Sequence, residues 1–223
     1  MDGPLIAVPE AFSGRADVGP NVEELARRLG EPRILPPDVA AIRAALDGRP
    51  VVVSAECGVA LATLPWVAER HPEAKVLWLD AHPDCNTPET SPSGYTGGMP
   101  VAGATGHFDA GVVPRLPIER IVFAGIRDVD PGERALLDAA RATVLPTLDG
   151  VLEALGAAPV FVHLDCDVID GYPAAFAVPG GPSAAEVRAL LEAVARDRAV
   201  VGVTVTAVAG HAGIPANVIE PLL

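Results

Sequence analysis

Hydrophobic positions along this chain come in short runs, and amphipathic stretches separate them. Leu5 to Pro9, Val51 to Ser54, Val76 to Leu79, Ile121 to Ala124, Phe161 to Leu164 and Val200 to Val205 are apolar or β-branched enough to be strands buried on both faces. The stretches between them carry helix signals. Asn21 with Glu24 three residues on predicts a capping box for a helix that ends at Leu29 before Gly30. Asp38 predicts the cap of a second helix, with Val39, Ile42 and Leu46 on one face. Gly58 to Arg70 reads as a helix interrupted near Pro65, and Asp130-Pro131-Gly132-Glu133 opens another with proline at its first position. Ser183 and Glu186 predict a further capping box ahead of Val187, Leu190, Leu191 and Val194. This alternation predicts a three-layer α/β/α fold on a mainly parallel sheet. No repeat, low-complexity tract or linker breaks it, so residues 1–223 are expected to form a single domain.

Composition narrows the partners. A hydrophobic content of 50% in 223 residues is enough for one sizeable core, and a charged fraction of 20% argues against long disorder. The net charge is −13 and Lys75 is the sole lysine, so no basic patch exists to track phosphates and nucleic acid is not an expected partner. Met1 to Phe12 lacks a basic segment followed by a long apolar core. The longest apolar run, Ala199 to Ala209, is broken by Gly202, Thr204 and Thr206 and is too short to span a bilayer. A cytoplasmic protein without membrane association is expected, with Cys57, Cys85 and Cys166 as free thiols.

The chemistry concentrates at two strand ends. Val76 to Leu79 runs into Asp80-Ala81-His82-Pro83-Asp84, and in open α/β sheets ligands bind outside the carboxyl ends of strands. Carboxylates with one imidazole suit a hard or borderline divalent ion such as Mn²⁺. The plainer reading is that Asp84 caps a turn and His82 packs on the sheet edge. Asp165 and Asp167 follow a second apolar run, and in extended backbone they point to one side with Cys166 on the other. Two such carboxylates are costly to bury unless a cation lies between them, and the two motifs together have the donors of a dinuclear centre. The segment from Asp80 to Pro100 is rich in Pro and Gly and reads as a shaped loop without regular structure.

At these residues the chain resembles the arginase and ureohydrolase family. The likeness continues through Asp80 to Pro100, through Gly125-Ile126-Arg127-Asp128-Val129-Asp130-Pro131-Gly132-Glu133, and through Leu164 to Asp170. It implies that Asp80, His82, Asp84, Asp165 and Asp167 hold divalent ions, manganese first among them. Cys57 stands where the family has a histidine ligand, which implies a thiolate donor and a shift toward Zn²⁺, Co²⁺ or Fe²⁺, with one or two ions bound. The plain alternative for Cys57 is a small apolar filler. The likeness also implies that Asn86, Ser91 and Ser93 contact an α-carboxylate and Asp130 an α-amino group, although Asp130 is equally well placed as a helix cap. Two departures bear on activity. Gly97 stands at the position of a proton-shuttling histidine, and Ala207 at that of the glutamate that grips a guanidinium.

The expected function is therefore metal-dependent hydrolysis of a linear C–N bond, amidine or amide, in a small amino-acid-like substrate. Asp84 is the catalytic residue in that reading, and urea release from L-arginine is expected to be slow or absent. The alternative is a catalytically inactive metal-binding homologue with a binding or regulatory role. A zinc deacetylase of related fold would need tandem histidines that this sequence lacks. The likeness also makes a homo-oligomer an open expectation, weakened by chain ends that look shorter than the family's.

Overall fold

The computed structural model describes residues 2–14 and 18–223, so Met1, the first residue of the stretch read for a leader, lies outside it. In chain order the elements are β1 (Leu5–Val8), α1 (Gly19–Leu29), β2 (Arg33–Ile34), α2 (Val39–Ala45), β3 (Val51–Ser54), α3 (Ala60–Arg70) and β4 (Lys75–Leu79). They continue with α4 (Pro100–Thr105), β5 (Ile121–Ala124), α5 (Pro131–Ala139), β6 (Thr143–Leu145), α6 (Val151–Leu155), β7 (Val160–Asp165), α7 (Ala184–Asp197), β8 (Val200–Thr206) and α8 (Gly213–Ile219). The strands form one sheet in the order β2-β1-β3-β8-β7-β4-β5-β6. Every pairing is parallel.

A two-residue period in each strand divides the interior into two cores. Leu77, Leu79, Val162, Leu164, Val203 and Val205 pack against α1, α6, α7 and α8, whereas Val76, Trp78, Ile121, Phe123 and Phe161 pack against α2, α3, α4 and α5. Helices therefore cover both faces, as an all-parallel sheet requires. The three-layer α/β/α architecture expected from the alternation is present. Among the described residues no helix is long and apolar enough to cross a membrane.

Local signals held where the cap is the first residue of the pattern. Asp38 accepts from Ala41 N at 2.7 Å, and Ser183 with Glu186 forms a capping box, so both helices begin where their side chains satisfy free N–H groups. Asn21 is a correction. Helix α1 begins two residues earlier, with Pro20 in its first turn, and Asn21 Nδ2 instead donates to Ala209 O at 3.0 Å, tying α1 to the loop after β8. Pro65 is a second correction, because α3 continues through it. The lost donor leaves the Leu61 carbonyl without its helical partner, and the buried Leu64, Trp66 and Val67 hold the helix to the sheet all the same. The loop after Asp80 also contains a 3₁₀ turn, Thr96–Gly98, where no element was expected.

Candidate metal centre

Four adjacent strands, β3, β8, β7 and β4, end side by side, and each delivers a polar group to one place. Cys57 opens the 3₁₀ turn after β3, Thr206 closes β8, Asp165 closes β7, and Asp80 follows β4 directly. Asp165 and Asp167 do face one pocket, but not because the chain stays extended. Asp165 Oδ1 accepts from Asp167 N at 2.8 Å and caps the 3₁₀ turn Cys166–Val168, which swings Asp167 back into the site. Cys166 turns into the core as expected. Asp84 adopts φ 52°, a left-handed backbone that a non-glycine residue seldom takes and that aims its carboxylate inward.

Distances define a tight cluster. His82 Nδ1 lies 3.0 Å from Asp167 Oδ2 and 3.5 Å from Asp80 Oδ1, while its Nε2 faces Asp128 Oδ2 at 3.7 Å. Cys57 Sγ lies 3.0 Å from Asp165 Oδ2 and 3.9 Å from Asp80 Oδ2, so the thiol points at carboxylates and not merely into the core. Thr206 Oγ1 donates to Asp165 Oδ2 at 2.8 Å. Two sets, Asp80-His82-Asp167 and Cys57-Asp80-His163, bring one donor atom each within 4.8 Å of one another. The pocket over them is small, about 80 Å³.

Asp80, Asp84, Asp165 and Asp167 are all nearly buried. Burial, then repulsion from Asp167, Asp165 and Asp84, pushes the Asp80 carboxyl far above the usual range. Burial, with the Asp167 charge beside it, takes Asp165 up to about 7. Burial likewise raises Asp84 and the Cys57 thiol. Burial opposes charge on His82 and Asp167, yet their mutual hydrogen bond outweighs it, lifting His82 to about 12 and holding Asp167 low. Among the described residues several buried acids therefore share a single imidazolium, and Asp84 Oδ2 has no hydrogen-bond partner there. Such a donor set fits a divalent cation, which would supply positive charge and take the free oxygen.

A second cavity of about 330 Å³ adjoins the first and is lined by all four residues assigned to the amino-acid end, Asn86, Ser91, Ser93 and Asp130. Asn86 Nδ2 donates to Asp130 Oδ2 at 2.9 Å. Asp130 also caps α5, its N–H held by Glu133 Oε2 at 2.9 Å, and Glu133 Oε1 accepts from Cys85 N at 2.9 Å. Buried Glu133 thus clamps the two loops together. The hydroxyls of Ser91 and Ser93 accept from Gly94 N and Tyr95 N, which turns that stretch back over the cavity.

Every site residue expected from the sequence reaches one of these two cavities. Sequence reasoning missed Thr206, Glu56 and Tyr95; His163, with His107 and His211, was open as a replacement for the lost proton shuttle. Thr206 was detectable as a polar residue two after Thr204 in an apolar strand, on the side of the sheet that meets Asp165. His163 is fully buried, stacks on Trp78 at 3.6 Å, and bonds Thr204 Oγ1 at 2.8 Å, and burial takes it down to about 3. It lies beneath the site, 3.5 Å from Cys57 Sγ. His107 and His211 lie on exposed segments, with His107 bonded to Thr105, and neither lines either cavity. Ala207, at φ 53°, places only a methyl on the pocket wall.

Comparison with known proteins agrees with this fold. A curated N(omega)-hydroxy-L-arginine amidinohydrolase from Streptomyces lavendulae is 45% identical over 158 residues, 68% of this chain and 58% of that protein's length. The crystal structure of arginase from Bacillus subtilis superposes with a TM-score of 0.84 at 23% identity, covering 100% of this chain and 98% of that one. Proclavaminate amidino hydrolase from Streptomyces clavuligerus gives 0.74 at 22% identity, covering 99% and 89%. The Arginase family model matches residues 38–216, and the chain belongs to the arginase family.

Proposed function

We propose that this protein is a metal-dependent hydrolase of a linear C–N bond in an amidine-type side chain of an amino-acid-like substrate. The observation that carries the reading is the convergence of Asp80, His82, Asp84, Asp165, Asp167 and Cys57 on one pocket that opens beside the Asn86–Asp130 cavity. Asp80, His82, Asp165 and Asp167 would hold one ion. Asp80, Asp84, Asp165 and Cys57 would hold another, with manganese favoured by the oxygen-rich set and zinc, cobalt or iron by the thiol. A divalent ion there supplies Lewis-acid polarisation of the scissile carbon and brings the pKa of a neighbouring water to roughly 7.

The chain's own groups do the rest. Asp130 and Asn86 take the ammonium and carboxylate ends of the substrate, Ser91 and Ser93 add hydroxyls at the rim, and the side chain threads past Tyr95 into the small pocket. Asp84 takes the proton given up as water attacks the amidino carbon and returns it to the departing side-chain nitrogen. The bond from that carbon to the side-chain nitrogen breaks, and the nitrogen leaves as an amine. The relative's name points to an N-hydroxyguanidine as substrate. A wall of Ala174, Ala175, Ala207 and Ala209 points the same way, since it puts only methyls on that side of the pocket and the Glu56 carboxylate opposite is already bonded to Tyr95 and Ser13. That wall also favours the second reading, a metal-binding protein without turnover.

One assay separates the two. Protein loaded with Mn²⁺, Co²⁺ or Zn²⁺ and given Nω-hydroxy-L-arginine should release ornithine, and should do so far more slowly with L-arginine. Stoichiometric metal with no turnover of either compound would favour the non-catalytic reading.

A further inference from the structure

His163 is an unusual residue for its place in the sheet. It sits in β7, a strand that is otherwise apolar until Asp165, and it is fully buried with its ring lying flat on the Trp78 indole at 3.6 Å between centroids. The ring does not line the pocket. It lies just beneath Cys57, Asp80 and Asp165, which do. Nδ1 is 2.8 Å from Thr204 Oγ1, its neighbour across the pairing of β7 with β8. With the Nδ1 proton donated there, Nε2 keeps its lone pair. That nitrogen points at Cys57 Sγ, 3.5 Å away, and lies 3.5 Å from Thr206 Oγ1.

The spacing of these atoms is that of a ligand set. Cys57 Sγ, an Asp80 carboxylate oxygen and a His163 ring nitrogen all lie within 4.8 Å of one another. A tetrahedral zinc with ordinary bond lengths holds a sulfur and a nitrogen donor about 3.5 Å apart, and a sulfur and an oxygen donor about 3.6 Å apart. Here Cys57 Sγ is 3.5 Å from His163 Nε2 and 3.9 Å from Asp80 Oδ2. Little movement is needed to close the three around an ion. The contact with Thr204 is the kind of outer partner that a ligating imidazole uses to fix its tautomer and ring plane, and the Trp78 indole holds the same plane from its face.

We infer that His163 is a metal ligand: its Nε2 joins Cys57 Sγ and Asp80 in holding the second ion from below, and Asp165 and Asp84 complete the shell from the pocket side. A thiolate and an imidazole among carboxylates suit Zn²⁺, Co²⁺ or Fe²⁺, whereas the set Asp80, His82, Asp165 and Asp167 remains suited to manganese. The centre is then built for two unlike ions. This inference rests on the metal-dependent reading above and adds a donor to its second ion.

The test is titration of reduced, chelator-stripped protein with Co²⁺ and Zn²⁺, for wild type, Cys57→Ser, His163→Phe and Thr204→Val. Cobalt bound to Cys57 gives a thiolate-to-metal charge-transfer band, which should be present in wild type and lost in Cys57→Ser. His163→Phe keeps a ring against Trp78 and has no nitrogen. It should weaken the ion that gives the band by more than about 100-fold, beyond what an outer partner typically costs, while the ion at His82 binds as in wild type. Thr204→Val leaves the imidazole without its outer partner and should cost about 10- to 100-fold at the same ion. Because a fully buried ring is hard to replace, ¹⁵N NMR of the wild-type imidazoles gives a reading without any variant. The His163 signal, recognised by its contacts with the Trp78 indole, should shift at Nε2 far more than at Nδ1 as zinc binds. Bound cobalt without the band, a band with a His163 signal that zinc does not move, or a folded His163→Phe with wild-type affinity for that ion would overturn the inference and leave the metal-dependent reading standing. Wild-type protein that binds no ion at either position would overturn both.

Discussion

The β4 and β7 half of the site and the β3 and β8 half differ in kind. Strands β4 and β7 deliver Asp80, His82, Asp84, Asp165 and Asp167, five ionisable groups within two short stretches of chain. Strands β3 and β8 deliver Glu56, Cys57, Thr206 and Ala207, a carboxylate already bonded to Tyr95 and Ser13, a thiol, a hydroxyl and a methyl. On the proposed reading the first half would attract the ions and the second would shape the space around them. Changes in the acidic half should therefore abolish function, and changes in the other half should tune it.

The largest effect is expected at Asp84. Asp84→Asn removes the proton acceptor and one donor of the second ion, and should lower amidine hydrolysis by at least about 10²-fold while the Asp80-His82-Asp165-Asp167 ion stays bound. Initial rates with parallel metal analysis decide it, and near-normal turnover would move the general base elsewhere. Across the sheet, Ala207→Glu returns a carboxylate to the alanine wall and should raise L-arginine affinity by about tenfold relative to the hydroxylated compound, read as a ratio of Kd values. If the ratio does not move, position 207 does not face the substrate head. Cys57→His exchanges a soft donor for imidazole and should raise manganese occupancy of the second position several-fold at limiting metal. Unchanged occupancy would leave Cys57 as a core filler whose thiol happens to meet Asp165.

A smaller, electrostatic effect follows for metal-free protein. Asp80 and Asp84 lie well above ordinary carboxylates, Asp165 is near 7, and His82 is near 12, so the folded state holds protons that the unfolded chain, with Asp near 3.9 and His near 6.5, releases. Below about pH 6.5 the buried neutral His163 works in the opposite sense, since its folded value near 3 makes stability rise with pH. Above about pH 7.5 His163, and His71 and His107, which burial also lowers, are neutral in both states and the raised groups prevail, so stability should fall from about pH 7.5 to 9. Thermal melts with chelator should show Tm dropping by a few degrees over that window, and divalent metal should cancel the drop. A Tm that rises with pH in chelator would mean the cluster is not the source.

Much of this was legible because each motif states its own context. Asp80-Ala81-His82-Pro83-Asp84 and Asp165-Cys166-Asp167 directly follow apolar strands, and strand ends in a parallel sheet are where ligands collect. Asn86 and Asp130 were legible through the likeness, and the structure brings them to one hydrogen bond. Other features depend on neighbours far away in sequence. Thr206 matters because β8 lies beside β7, a strand order that no local pattern encodes. Tyr95 and Glu56 meet only because the loop after β4 folds back over the turn after β3. Asn21 failed as a cap because Pro20 lets α1 begin earlier, and β2 and β6, with two and three residues at the sheet edges, were too short to carry a period.

Titration of chelator-stripped protein with Mn²⁺, for wild type and Asp167→Ala side by side, tests the central claim most directly. Asp167 touches His82 at 3.0 Å and belongs to the half of the site that should hold the ion outright. Wild type should bind one or two equivalents and gain Tm as it does. Asp167→Ala should lose more than the 10- to 100-fold in affinity that loss of an outer-shell partner typically costs. If Asp167→Ala binds manganese with wild-type stoichiometry and affinity, the cluster at the ends of β4 and β7 is not a metal centre.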